Sequence, residues 1–141
     1  MKKRLYIIVL LLVVVSLTGC GSKTLTCTKT SKESIYTLDE KIVAKYGLVN
    51  LKSVEIHQEM DIKDNSLITA SMLEKTISSQ FKDLKENGAK INVSSKDNKV
   101  IVDISIDSSK VSKHDLNNLY DSEVSLEDAK KSFKKLGYTC K

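Results

Sequence analysis

Glu55, His57, Glu59 and Asp61 form the densest set of reactive side chains in the sequence, an imidazole among three carboxylates at every second position. Such a set could hold a metal ion or exchange protons with a substrate. The spacing argues otherwise. Residues i and i+2 on one strand face stand about 6.6 Å apart. An ion with ligands at about 2.0–2.2 Å cannot be shared between them unless a neighbouring strand contributes. The array therefore reads as the solvated face of a half-buried strand. His114, between Lys113 and Asp115, reads as an exposed residue in the first turn of a helix. Serine is plentiful, yet there is no Gly-x-Ser-x-Gly, and no Ser-x-x-Lys sits in a plausible catalytic context. No glycine-rich phosphate cradle is present. Lys130, Lys131, Lys134 and Lys135 make a basic stripe that reads as a solvated helix face; the sharper reading is contact with anionic lipid or a wall polymer. No catalytic residue, metal site or cofactor is assigned.

The N-terminus carries the most specific chemistry. Met1-Lys2-Lys3-Arg4 is a positive n-region, and Leu5 to Val15 is an apolar run. Ser16-Leu17-Thr18-Gly19-Cys20 follows. The apolar stretch is too short for a spanning helix, which needs about 20 residues, so it reads as a secretory signal. Leu17-Thr18-Gly19-Cys20 resembles the lipobox of bacterial lipoproteins at all four positions. The resemblance implies a diacylglyceryl group on the Cys20 sulfur and cleavage between Gly19 and Cys20. A thiol is the nucleophile that can take the lipid. Small residues at Thr18 and Gly19 suit a narrow protease site, and Leu17 suits an apolar pocket. Residues 1–19 are then the signal peptide, 20–24 a lipidated cysteine with a short tether, and 25–141 a single domain. The four residues from Gly21 to Thr24 reach at most about 14 Å, which holds the domain at the membrane surface.

With Cys20 lipidated, Cys27 and Cys140 remain. Outside the membrane no reducing pool keeps thiols free, so a Cys27–Cys140 disulfide is expected, pinning the C-terminal tail to the first strand. Two free thiols or two metal ligands are the alternatives. Zinc wants three or four N or S ligands, and neither His57 nor His114 lies near a cysteine in sequence. There is no Cys-x-x-Cys for dithiol redox chemistry.

The chain has 141 residues, 40% of them hydrophobic and 29% charged, with no Pro and no Trp, which suits one ordinary domain plus an appendage. Its net charge of +5 comes from 23 basic and 18 acidic residues. Three of the basic residues are Lys2, Lys3 and Arg4; without them the balance falls to +2. Arg4 is the sole arginine, so the mature part lacks the guanidinium fork that reads phosphates. Nucleic acid is not an expected partner.

These residues must be positioned by an α+β domain. Thr24 to Thr30 alternates threonine with larger residues and reads as a strand. Ile35–Tyr46 is a second strand, with Tyr36, Leu38, Ile42, Ala44 and Tyr46 in one phase. Leu51–Ile62 is a third, with Val54, Ile56, Met60 and Ile62 on one face. Ala70, Leu73, Ile77, Phe81 and Leu84 recur at helical spacing; Asn65 or Ser66 caps the start, and Asn87-Gly88 ends it. Lys90–Ser95 and Lys99–Asp107 form a hairpin across Asp97-Asn98, with Val100, Val102, Ile104 and Ile106 as its apolar face. Ser112 and Ser125 each cap a short closing helix, with Val111 stapling onto Leu116 in the first. The second buries Ala129, Phe133 and Leu136 and stops at Gly137. Tyr138 to Lys141 is an extended tail. The order βββ-α-ββ-αα predicts an antiparallel sheet with helices packed on one face, after an N-terminal signal helix.

Cys20, the run Cys27-Thr28-Lys29 and the ending Gly137-Tyr138-Thr139-Cys140-Lys141 resemble the YehR-type small lipoproteins of low-GC Gram-positive bacteria. The resemblance implies a surface lipoprotein and no assigned activity. The expected function is therefore a membrane-anchored, extracytoplasmic protein that is not an enzyme. It would bind an envelope protein, a lipid or a wall component. The alternative is an envelope enzyme or accessory subunit with a site assembled across strands. Solute capture for a transporter fits poorly, because one small domain cannot close around a solute.

Overall fold

The computed structural model describes residues 21–48, 50–64, 66–115 and 125–141. The signal segment, Cys20, Asn65 and Leu116 lie outside the described residues. Six strands form one open antiparallel sheet: β1 (Lys23–Lys32), β2 (Tyr36–Tyr46), β3 (Leu51–Ile62), β4 (Lys90–Lys96), β5 (Lys99–Asp107) and β6 (Thr139–Cys140), in the spatial order β4-β5-β3-β2-β1-β6. Helices α1 (Ala70–Gln80), α2 (Lys82–Glu86) and α3 (Leu126–Lys135) accompany it among the described residues.

Period-two alternation decides which side of the sheet is covered. Val100, Val102, Ile104 and Ile106 of β5 are buried, while Asp103 and Ser105 between them and Asp107 after them are exposed. The register carries this phase from strand to strand. Ile91, Ile104, Ile56, Ile42, Cys27 and Cys140 align as one apolar row across all six strands. Ile106, Val54, Ala44 and Leu25 form the next row, each no more than 2% exposed. Helix α1 packs over β4 and β5, and α3 over β1 and β6. Ala70, Leu73 and Ile77 of α1, Phe81 at its end and Leu84 of α2 meet this core, and Ala129 and Phe133 meet it from α3.

Local chemistry sets the element ends. Asp97 takes φ 54°, the positive value that lets two residues close the β4–β5 hairpin between Lys96 and Lys99. Gly88 sits at φ +103°, and a Cβ there would come within 2.9 Å of the Lys110 carbonyl oxygen. Any side chain would therefore clash with backbone as well as strain the turn. Ser112 accepts from the Asp115 N–H at 3.1 Å, and Ser125 accepts from the Asp128 N–H at 3.2 Å.

Several elements differ from the sequence reading. The N-cap of α1 is Thr69, which accepts from Met72 N–H, whereas Ser66 accepts from Ile68 N–H and shapes the turn before the helix. Phe81, at φ −95° and ψ 7°, divides the expected single helix into α1 and α2. Leu136 is 62% exposed rather than buried. It lies at the C-cap, where the chain leaves the helix, and Tyr138 packs edge-on against Phe133 in its place. Strand β1 begins at Lys23, so it takes up part of the expected tether. The C-terminal tail is a sixth strand, too short to show a period of its own.

Candidate functional site

Two groupings of polar side chains stand on opposite faces of the sheet. The first is the array that stood out in the sequence. His57 is flanked across the open face by Asp103 on β5 and Lys41 on β2. Its Nδ1 lies 2.6 Å from Asp103 Oδ1, and the two side chains are 47% and 51% exposed. Glu55 lies 3.7 Å from Lys45. Glu59 pairs with Lys99, whose ammonium pKa this hydrogen bond and charge hold above its ordinary value. Asp107, at the end of β5, accepts from the Ser109 hydroxyl and N–H, which hold its carboxyl below the usual range. Glu55 and Glu59 thus answer to different lysines, and Asp61 stands opposite Lys99 in register, so the three acids of β3 do not converge on one point. An open hollow of ≈ 480 Å³ lies around His57, lined by Lys41, Val43, Glu55, Asn92, Asp103 and Ser105 among others.

The second grouping interrupts the covered face. Lys29, Glu40 and Gln58 occupy one register row, next to the Cys27–Ile42–Ile56 row on the side away from Leu25 and Ala44. Gln58 Nε2 donates to Glu40 Oε2 at 2.9 Å. Tyr138, leaving α3 for β6, brings its hydroxyl to the same carboxylate. Burial, then the charge and hydrogen bond of Glu40, push its phenol pKa up to about 12. The Lys29 ammonium lies 5.3 Å from the centre of the Tyr138 ring. This cluster joins three sheet strands to the C-terminal segment. It was missed in the sequence, although a signal exists: Glu40 and Gln58 stand in the apolar phase of β2 and β3, where a polar residue needs a partner.

The cysteines meet at the edge of the covered face. Thr26 and Lys141 exchange both backbone hydrogen bonds, at 3.1 and 2.8 Å. Cys27 and Cys140 are therefore the adjacent non-hydrogen-bonded pair, in which side chains stand closest. Their Cα atoms are 4.1 Å apart and their sulfurs 2.00 Å, at disulfide distance. His114 is exposed beside the Ser112 cap, and Lys131, Lys134 and Lys135 are exposed on α3. Cys20 and Gly19 fall outside the described residues. Among the described residues, no three His, Cys, Asp or Glu side chains come together so as to hold a metal ion, and no helix is long and apolar enough to cross a membrane.

No family model matches the chain, and no curated protein matches it. The NMR structure of the E. coli YehR protein is similar in fold, with a TM-score of 0.56 and 18% identity, over 85% of this chain and 92% of that one. At this identity the likeness is one of fold, a loose resemblance to YehR-type proteins.

Proposed function

We propose that the chain is a lipid-anchored protein of the extracytoplasmic membrane surface, held by acyl chains on Cys20, and that it acts there by binding an envelope protein, lipid or wall component rather than by catalysis. The observation that carries this reading is the placement of β1. The strand begins at Lys23, so only Gly21 and Ser22 separate it from the lipobox cysteine. Two residues span at most about 7 Å, which suits a body seated against the bilayer. Acyl chains contribute about 0.8 kcal/mol for each buried CH₂, so two or three of them make a lasting anchor. The Cys27–Cys140 pair suits an oxidising compartment. The open sheet face, with its exposed threonines, acids, lysines and His57, offers a broad polar surface to a partner.

The test is the chemistry of residue 20. Protein purified from membranes of its native host should begin at Cys20 and carry acyl mass. Cys20→Ala should leave it unprocessed or released. Normal processing and membrane retention of Cys20→Ala would overturn the reading. Crosslinking in intact cells should then recover the partner, and variants of the open face should lose it.

A further inference from the structure

We propose that the β2–β3 turn is a second membrane contact, a lysine-ringed apolar tip that seats on anionic phospholipid beside the acyl anchor. The inference rests on the lipid-anchor reading above and adds the orientation of the domain on the bilayer. Lys23, the first residue of β1, pairs in register with Tyr46, the last residue of β2. The start of the described chain and the β2–β3 turn therefore share one end of the sheet. Gly47 N–H donates to the Asn50 carbonyl at 2.7 Å and closes that turn. Leu48 stands on it 90% exposed.

The surroundings of Leu48 fit an interface between water and lipid. Lys52 lies over the turn, its Cε only 2.8 Å from where a Gly47 Cβ would stand. Lys45 precedes the turn, and Lys23 is opposite it. All three lysines are exposed. Two acids share this end. Glu55 is 3.7 Å from Lys45, and Asp107 is held by Ser109. Lysine stems can lie along apolar surface while their ammonium groups reach headgroup phosphates. A leucine between them can enter the headgroup boundary. With two residues between Cys20 and Lys23, acyl chains on Cys20 would bring this end of the sheet to the bilayer.

The chain contains no tryptophan, so a single introduced indole reports its own environment. The mature protein, purified from membranes and shown by intact mass to be acylated, is reconstituted with Leu48→Trp into phosphatidylglycerol-rich vesicles containing acyl-brominated lipid. Leu67→Trp, at a residue 98% exposed at the opposite end of the sheet, is the control. The expected result is blue-shifted, bromine-quenched emission from position 48 and unshifted, unquenched emission from position 67. Phosphatidylcholine vesicles, or Lys23→Gln/Lys45→Gln/Lys52→Gln in the same protein, should lose most of that shift and quenching. Water-like emission from both positions in acylated protein would overturn the seating proposal and leave the anchor reading intact. A shift at position 48 with a soluble anionic wall polymer, but none with vesicles, would overturn it in favour of the polymer. Absence of acyl mass would overturn the anchor reading and this inference together.

Discussion

Under the helices, Glu40 shares its carboxylate with Gln58 and Tyr138, and Lys29 lies along the Tyr138 ring. Across the sheet, Glu59 faces Lys99 and His57 faces Asp103 in water. The two faces use similar residues, yet their context sets what each residue does. A half-buried polar group depends on its partner more than an exposed one does, because water reaches it less freely once the partner is lost. An exposed pair gives up water for little gain. The covered face therefore holds the domain together, whereas the open face is free to vary without loss of the fold.

Substitutions on paired positions sharpen this contrast. Ile106→Ala, at a fully buried residue, should lower unfolding stability by roughly 2–5 kcal/mol in urea titrations followed by circular dichroism. Its open-face neighbour Ser105→Ala should stay within about 0.5 kcal/mol. Equal losses at both would break the two-face account. Next in size, Cys27→Ser/Cys140→Ser should cost about 2–4 kcal/mol in oxidised protein, since it opens a crosslink across a sequence separation of 113. A reductant should reproduce the loss in the unaltered protein but add nothing in the double variant.

Smaller effects test the polar row. Glu40→Ala removes the shared acceptor of Gln58 and Tyr138 and should cost about 1 kcal/mol, whereas His57→Ala should stay within about 0.5 kcal/mol. Lys99→Ala should not move the urea midpoint measurably. The finest probe is alkaline titration. Tyr138 has its phenol pKa raised from the ordinary 10.0 to about 12, so above pH 10 the unfolded chain ionises before the folded one. Its contribution is whole below pH 10 and is lost as pH climbs toward 12. Phenolate absorbance should show one late-titrating tyrosine, and Tyr138→Phe should remove that step. A Tyr138 titrating with the others would place its hydroxyl in water.

The sequence was informative wherever a signal repeats within a few residues. The phases of β2, β3 and β5, the turn at Asp97 and Asn98, and the caps at Ser112 and Ser125 follow from local alternation and side-chain chemistry. Pairings across strands follow from register instead, which no single strand reveals. His57 and Asp103 are 46 positions apart, and Gln58 and Glu40 are 18 apart. Asp103 is thus invisible beside the array on β3 in the sequence, and in the row under the helices each strand offers only one exception to an otherwise apolar phase. Leu136 failed for another reason. Helical periodicity assumes that the helix continues, and Gly137, at φ +90°, ends it there.

A bond between Cys27 and Cys140 has a topological consequence. β1 from Cys27 onward, strands β2 to β5 and helices α1 to α3 fall within the span it closes, so nearly the whole domain becomes a ring. One peptide cleavage in any of its turns would open that ring without freeing a fragment. Release would take a second cut or a reductant, so nicked molecules should run at full mass on a gel until thiol is added.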